Sequence, residues 1–170
     1  GASAYNTAVG YNAGLNVTTG ADNTIIGGLA GDALTTGARN VAIGTRALST
    51  EDGHGRNVAI GYEALFAQNA AADAYNIAIG YQAGTIISTG TTNTLIGGFA
   101  GDALTTGSEN VAVGYFALSS DDAGGRSVAV GQSALKLQNG GSLHVYNTAV
   151  GFESGKNMSS GVQNTILGGL

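Results

Sequence analysis

The sequence predicts an all-β fold, a parallel β-roll or β-solenoid in which one short rung is stacked about ten times. Three observations predict it. The phrase Asn-x-x-x-Gly returns along the 170 residues at steps of 17, 17, 17, 19, 17, 17, 17, 20 and 17. The residues between Asn and Gly are aliphatic, β-branched or Ala, the composition of a short strand. Charged residues make up 10% of the chain, against roughly 25% in ordinary globular proteins, so little of each rung faces water. A fixed short period means identical units whose core is a line rather than a sphere.

The rungs open at Asn6, Asn23, Asn40, Asn57, Asn76, Asn93, Asn110, Ser127, Asn147 and Asn164. The phrase closes at Gly10, Gly27, Gly44, Gly61, Gly80, Gly97, Gly114, Gly131, Gly151 and Gly168. With the Asn slot counted as zero, position +1 is Thr, Val or Ile and position +3 is Val, Ile or Leu. Positions +1 and +3 share one face of a strand and +2 faces the other way; the consistently apolar +3 is expected in the core. The Gly at +4 marks a bend or a close backbone approach. A second short strand is expected from +5, as in TRAL from Thr45, YEAL from Tyr62, YQAG from Tyr81 and YFAL from Tyr115. Its third residue is Ala in eight of the nine complete rungs, with Ser154 the exception. A polar turn, often Thr-Thr-Gly as at 35–37 and 105–107, closes the rung. Strands from one slot would pair in parallel ~4.8 Å apart, giving a rod roughly 45–50 Å long. Stacked Asn side chains are suited to a hydrogen-bonded ladder along the rod or to capping the turns, and Ser127 keeps part of that capacity.

A longer period of four rungs divides the single solenoid, 1–170, into super-repeats at 5–74, 75–145 and an incomplete 146–170. GGLAGDALTTG at Gly27 returns as GGFAGDALTTG at Gly97, and the chain ends on GGL, which reads as a piece cut from a longer protein. Position +2 is Ala in seven rungs and large in three, at Ile25, Leu95 and Ile166. In those three rungs +5 is Gly, at Gly28, Gly98 and Gly169. Bulk at one slot matched by its absence at another implies that +2 and +5 share a space.

The phrases NTAVGYNAG (6–14), NVAIGYEAL (57–65) and NIAIGYQAG (76–84) resemble the repeats of YadA-like heads in trimeric adhesins. They resemble still more the NTAVGYQAL-type repeats of bacteriophage tail fibres and related surface proteins. The resemblance covers the whole chain, and Asn40, Val41, Ile43 and Gly44 occupy the motif's slots. It implies a left-handed parallel β-roll assembled as a homotrimer, located outside the cell on a virion tail fibre or a bacterial surface. The 17-residue period is longer than that of the adhesin heads.

The candidate sites are few. GGLAGDAL (27–34) and GGFAGDAL (97–104) resemble the calcium nonapeptide GGxGxDxU with its second Gly pair displaced. Asp32 and Asp102 are therefore the candidate metal ligands, against a simpler role in capping turns. Glu51 and Asp52 before Arg56, and Asp121 and Asp122 before Arg126, are expected in solvated turns with weak ion pairs. The longer loops, 67–75 and 136–146, are expected to project outward, where solenoid turns carry recognition. Seven Tyr residues suit either glycan stacking or packing over rung edges, and their fixed slots favour packing. Thr pairs fall in turns and skip rungs, which does not suit an ice-binding array. Two His, no Cys and no nucleophile motif argue against an enzyme. A net charge of −5 argues against nucleic acid, and no apolar run reaches the ~20 residues of a membrane span. No cofactor is expected. The sequence thus favours a structural or adhesive fibre segment whose expected partners are its own copies and a host-surface glycan or protein receptor. A glycan- or calcium-binding solenoid is the alternative.

Overall fold

The computed structural model describes residues 4–141 and 144–169. Ser142 and Leu143 of the 136–146 loop, Gly1–Ser3 and Leu170 lie outside the described residues. The fold is all-β. Each rung contributes one three-residue strand: β1 (Thr7–Val9), β2 (Thr24–Ile26), β3 (Val41–Ile43), β4 (Val58–Ile60), β5 (Ile77–Ile79), β6 (Thr94–Ile96), β7 (Val111–Val113), β8 (Val128–Val130), β9 (Thr148–Val150) and β10 (Thr165–Leu167). They form one parallel sheet in chain order. The register places each slot on its counterpart in the next rung: Ala42 lies beside Ala59, and Ala59 beside Ala78. The longer steps after β4 and β8 leave this register intact, because their extra residues are taken up in the closing turns.

The segment from +5 is not the second strand that the sequence led us to expect. It is a run of turns in which +6 and +8 have positive φ. Among the described residues, all twenty-two non-glycine residues with positive φ fall at three slots, −1, +6 and +8. Left-handed residues turn successive amides toward opposite neighbours: Arg46 N–H donates to Gly28 in the rung before, and Leu48 N–H to Ala64 in the rung after. The backbone is thus satisfied between rungs without a ladder, and bonds shared on both sides hold conformations that cost roughly 1–2 kcal/mol per residue.

The core lies on the opposite strand face from the one expected. Position +2 is fully buried from Ile25 through Ala149, whereas +1 and +3 are half-buried or exposed. Ala at +2 and Ala at +7, such as Ala42 and Ala47, line the core along most of the rod. Larger side chains enter at +8 and +11, and they alternate in pairs of rungs. Where +8 is Gly, +11 is apolar, as at Leu34, Ile87 and Leu104; where +8 is Leu, at Leu48, Leu65, Leu118 and Leu135, +11 is polar.

The +2 and +5 slots do not share a space. Nothing lies within 4 Å of a Cβ placed on Gly28, and the structure does not explain that glycine; Gly98 lies under the Tyr115 ring. The exchange is instead between +2 and +8. A Cβ on Gly14 would stand 2.9 Å from Ile25 Cδ1, one on Gly84 2.7 Å from Leu95, and one on Gly155 2.9 Å from Ile166. Each large +2 side chain fills the room left by glycines at +8.

The asparagines form the ladder and cap the turns at once. Asn23 Oδ1 accepts the Asn40 amide N–H at 2.9 Å, while its Nδ2 donates to the Gly37 carbonyl at 2.9 Å. The same pair of bonds recurs at Asn6, Asn40, Asn93 and Asn110. Rungs four and eight are the lengthened ones, and there the pattern changes. Asn57 Nδ2 has no partner, and its counterpart Ser127 has no amide to satisfy. Ser127 Oγ instead accepts from Gln138, whose Oε1 accepts from Asn147, so a core glutamine spans the gap.

Two predictions follow from this packing. Asn93→Ala leaves the Asn110 N–H and the Gly107 C=O buried without partners and should cost about 2–5 kcal/mol; equal denaturant midpoints for parent and variant would refute the ladder's role. Ala42→Ile should overpack its rung by roughly 1–3 kcal/mol. Leu48→Gly beside it should recover part of that loss, by analogy with Ile25 beside Gly31. A double-mutant cycle reads the coupling, and strict additivity would show that +2 and +8 are independent.

Candidate functional site

Two surfaces and two turns carry the chemistry of the molecule. The first surface is the outer face of the sheet. Its two rows are the +1 and +3 side chains, which are Thr, Val, Ile or Leu at every rung, with no charge among them. Val9 is 57% exposed, Ile26 37%, Ile96 38% and Val150 39%. Parallel strands ordinarily have both faces covered and read as continuous apolar runs. Here the larger apolar residues at +1 and +3 face outward, and in seven rungs Ala faces the core.

The second surface is an aromatic stripe at +5 and +6. Tyr62 stacks on Tyr81 with centroids 5.3 Å apart, Tyr81 meets Phe99 edge-on at 5.2 Å, and Phe99 stacks on Phe116 at 4.9 Å. Lys136 caps the stripe 4.6 Å from the Phe116 centroid. Rung spacing is close to the preferred separation of aromatic rings, so one aromatic slot repeated along a solenoid forms a stack. The tyrosines at −1 behave differently. Arg56 donates to the Tyr75 hydroxyl at 2.7 Å and Arg126 to that of Tyr146 at 2.6 Å, with each guanidinium over its ring.

The acidic turns differ from the solvated loops expected. Glu51 and Asp121, both at +11, are completely buried. Burial pushes both carboxyls above the usual range, against hydrogen bonds that favour the anion. Asp121 is well partnered: it accepts from the Gly124 N–H at 3.0 Å, from Gln138 Nε2 at 2.7 Å and from the Gly140 N–H at 3.4 Å. The arginines pair elsewhere. Arg56 meets Asp73, and Arg126 meets Glu109 at 2.9 Å. The long loops also turn inward in part. Ala70, Ala74 and Val145 are buried, and Gln68 and Gln138 reach the core, so these loops do not simply project.

Asp32 and Asp102 occupy equivalent turns 70 residues apart, with different surroundings. The Ser49 hydroxyl donates to Asp32 Oδ1. Asp102 Oδ1 is buried without a partner, and desolvation raises its carboxyl to about 6, with Lys136 opposing. Neither aspartate joins a group of three metal-ligating side chains among the described residues. The one such group is Glu51, Asp52 and His54. Sequence reasoning singled out the first two and passed over His54, although its place three residues after Glu51 was visible. A shallow recess lined by Glu153, Ser154, Gly155 and Ile166 is the open end of the core at the last rungs. Among the described residues no helix is long and apolar enough to cross a membrane.

No family model matches this chain, nor does any curated protein or solved structure.

The Asp102 carboxyl supplies a pH prediction. Its native pKa, about 6, lies above the unfolded value near 4. The native state therefore holds the proton more tightly, and this group's contribution to stability falls as pH rises from about 4 to about 6. Asp102→Asn should melt above the parent at neutral pH, and the difference should vanish toward about pH 4. An equal shift at both pH values would assign the effect to something other than ionisation.

Proposed function

We propose that this chain is a structural, adhesive fibre segment that assembles as a homotrimer through the outer face of its sheet. The observation that carries the reading is that face: ten strands of uncharged, mostly β-branched side chains in two straight rows. Exposed apolar patches larger than a few hundred Å² mark interaction sites. A second copy of the same chain suits this one, because its period and pitch repeat those of the rows it would meet. The repeat resemblance supports three chains, and it supports an extracellular setting on a virion fibre or a bacterial surface. The mechanism is mechanical. A rod of fixed length, held together between rungs by backbone and Asn bonds, sets the distance of a receptor-binding element. Identical features repeated along three chains turn weak contacts into avidity.

A glycan-binding role is the second reading, and the aromatic stripe favours it. Tyr62, Tyr81 and Tyr115 are 41%, 50% and 49% exposed, and apolar ring faces suit sugar rings. Against it, Tyr62 and Tyr81 each spend a face on the other, and Phe99 meets Tyr81 and Tyr115 edge-on.

The test is the mass in solution and its response to a charge on the sheet face. Light scattering should give three times 16.7 kDa. Ile96→Lys, which on a solvated face would change stability by no more than about 0.5 kcal/mol, should disperse the assembly. A folded monomer in the parent, or an undisturbed oligomer in the variant, would refute assembly through this face.

A further inference from the structure

The two copies of the acidic turn provide an internal comparison. In rung seven, Asp121 and Asp122 are followed by Gly124; in rung three, Glu51 and Asp52 are followed by His54. The exchange has a steric cause. A Cβ on Gly124 would stand 2.3 Å from Asp121 Oδ2, so the short carboxylate occupies the space over which a side chain at 124 would sit. There the carboxylate is satisfied by amides and by Gln138. In rung three the longer Glu51 accepts the His54 N–H on Oε1, at 2.9 Å, with the Ala70 amide also favouring its anion, and Gln68 donates to the Ser88 carbonyl instead. Glu51 Oε2 is left buried and without a partner, on a side chain with no exposed surface. His54 Nδ1 is also buried and without a partner, 3.6 Å from Glu51 Oε1. The two side chains that carry these unpaired ligand atoms lie side by side, and with the Asp52 carboxylate they offer one ligand atom each within 4.8 Å of one another.

We propose that Glu51, Asp52 and His54 form a site for one divalent transition-metal cation of the zinc type. Imidazole nitrogen with two carboxylates suits such an ion, whereas calcium and magnesium prefer all-oxygen shells. Three protein ligands leave further positions for water. The turn is held before any ion arrives. Asp52 O accepts the amides of Thr35, Thr36 and Gly37, and His54 O accepts Asn40 Nδ2. The first three bonds come from the closing turn of rung two and the fourth from the Asn slot of rung three, so a bound cation would tie the closing turn of rung three to the ladder. The site does not depend on the trimer or on the fibre reading.

The experiment is calorimetric titration and thermal melting of the untagged full chain with Zn²⁺ and, separately, with Ca²⁺. One Zn²⁺ per chain should bind and raise the melting temperature by mass action, with Ca²⁺ binding far more weakly. His54→Gly, which places in this turn the residue its counterpart carries at 124, should fold and lose Zn²⁺ affinity by about 10–100-fold or more. Glu51→Gln should lose it too. His144→Ala removes the other histidine and should leave binding unchanged. No heat and no melting shift with Zn²⁺ in the parent would overturn the proposal. So would binding that survives His54→Gly or disappears with His144→Ala, and so would a site that takes Ca²⁺ equally well with or without His54.

Discussion

Everything in this fold depends on the approach of one backbone to the next at +4. At Gly10 through Gly151, a Cβ would stand 2.3–2.6 Å from backbone of the following rung's glycine. The φ values there, 131–142°, lie in a region that L side chains rarely adopt. Conformation and space therefore exclude every other residue independently. That is why all ten rungs keep Gly at +4 while the Asn slot tolerates Ser127. The glycine turns the chain out of the strand at the same point in every rung, and this brings Asn Oδ1 within reach of the next Asn amide. The ladder is a consequence of the stacking distance, and it adds to stability only because the glycines permit that distance.

The period, the strand slot, the parallel pairing and the solenoid architecture were legible in the sequence, because they depend on repetition alone. Which face is the core was not, and the reason is physical. Apolar size at +1 and +3 reads as burial in a chain with room for it. This rung gives the strand no such room: beside Ala42 and Ala47 the interior is already occupied by Leu48. On the strand, Ala at +2 points inward in seven rungs while the larger +1 and +3 residues point outward, and the core takes its bulk from +8 and +11 instead. The paired alternation at +8, with Gly14 and Gly31, then Leu48 and Leu65, is visible in the sequence and is the better signal of interior volume. It was masked by the coincidence of large +2 residues with Gly at +5.

The candidate site was half legible for a related reason. Glu51 and Asp121 stand next to Asp52 and Asp122, and a run of acidic residues reads as solvated. The slot decides otherwise. Position +11 is where Leu34 and Leu104 enter the core, so a carboxylate at +11 is carried inward by the same backbone. Slot, rather than residue type, determines burial in a solenoid, because each rung's backbone is held by its neighbours and cannot adjust to one side chain. Polar residues at +11 occur only where +8 is Leu, so the leucine supplies the apolar contact that +11 gives up.

That rigidity also explains how the two super-repeats diverged. Lengthening rungs four and eight leaves no turn carbonyl for the Asn-slot amide, and each copy answers differently. In rung eight the slot is Ser127, Gln138 spans to Asn147, and Asp121 is drawn into the same network. In rung four Asn57 keeps its bond to the Asn76 amide at 3.1 Å and leaves Nδ2 unpaired. Gln68 then turns toward Asn76 and Ser88 and away from Glu51. The unpaired carboxylate oxygen on Glu51 is the far end of that chain of exchanges. Two copies of one turn thus came to differ in chemistry without any change of fold: the network closes on itself around Asp121, and at Glu51 it stays open toward His54.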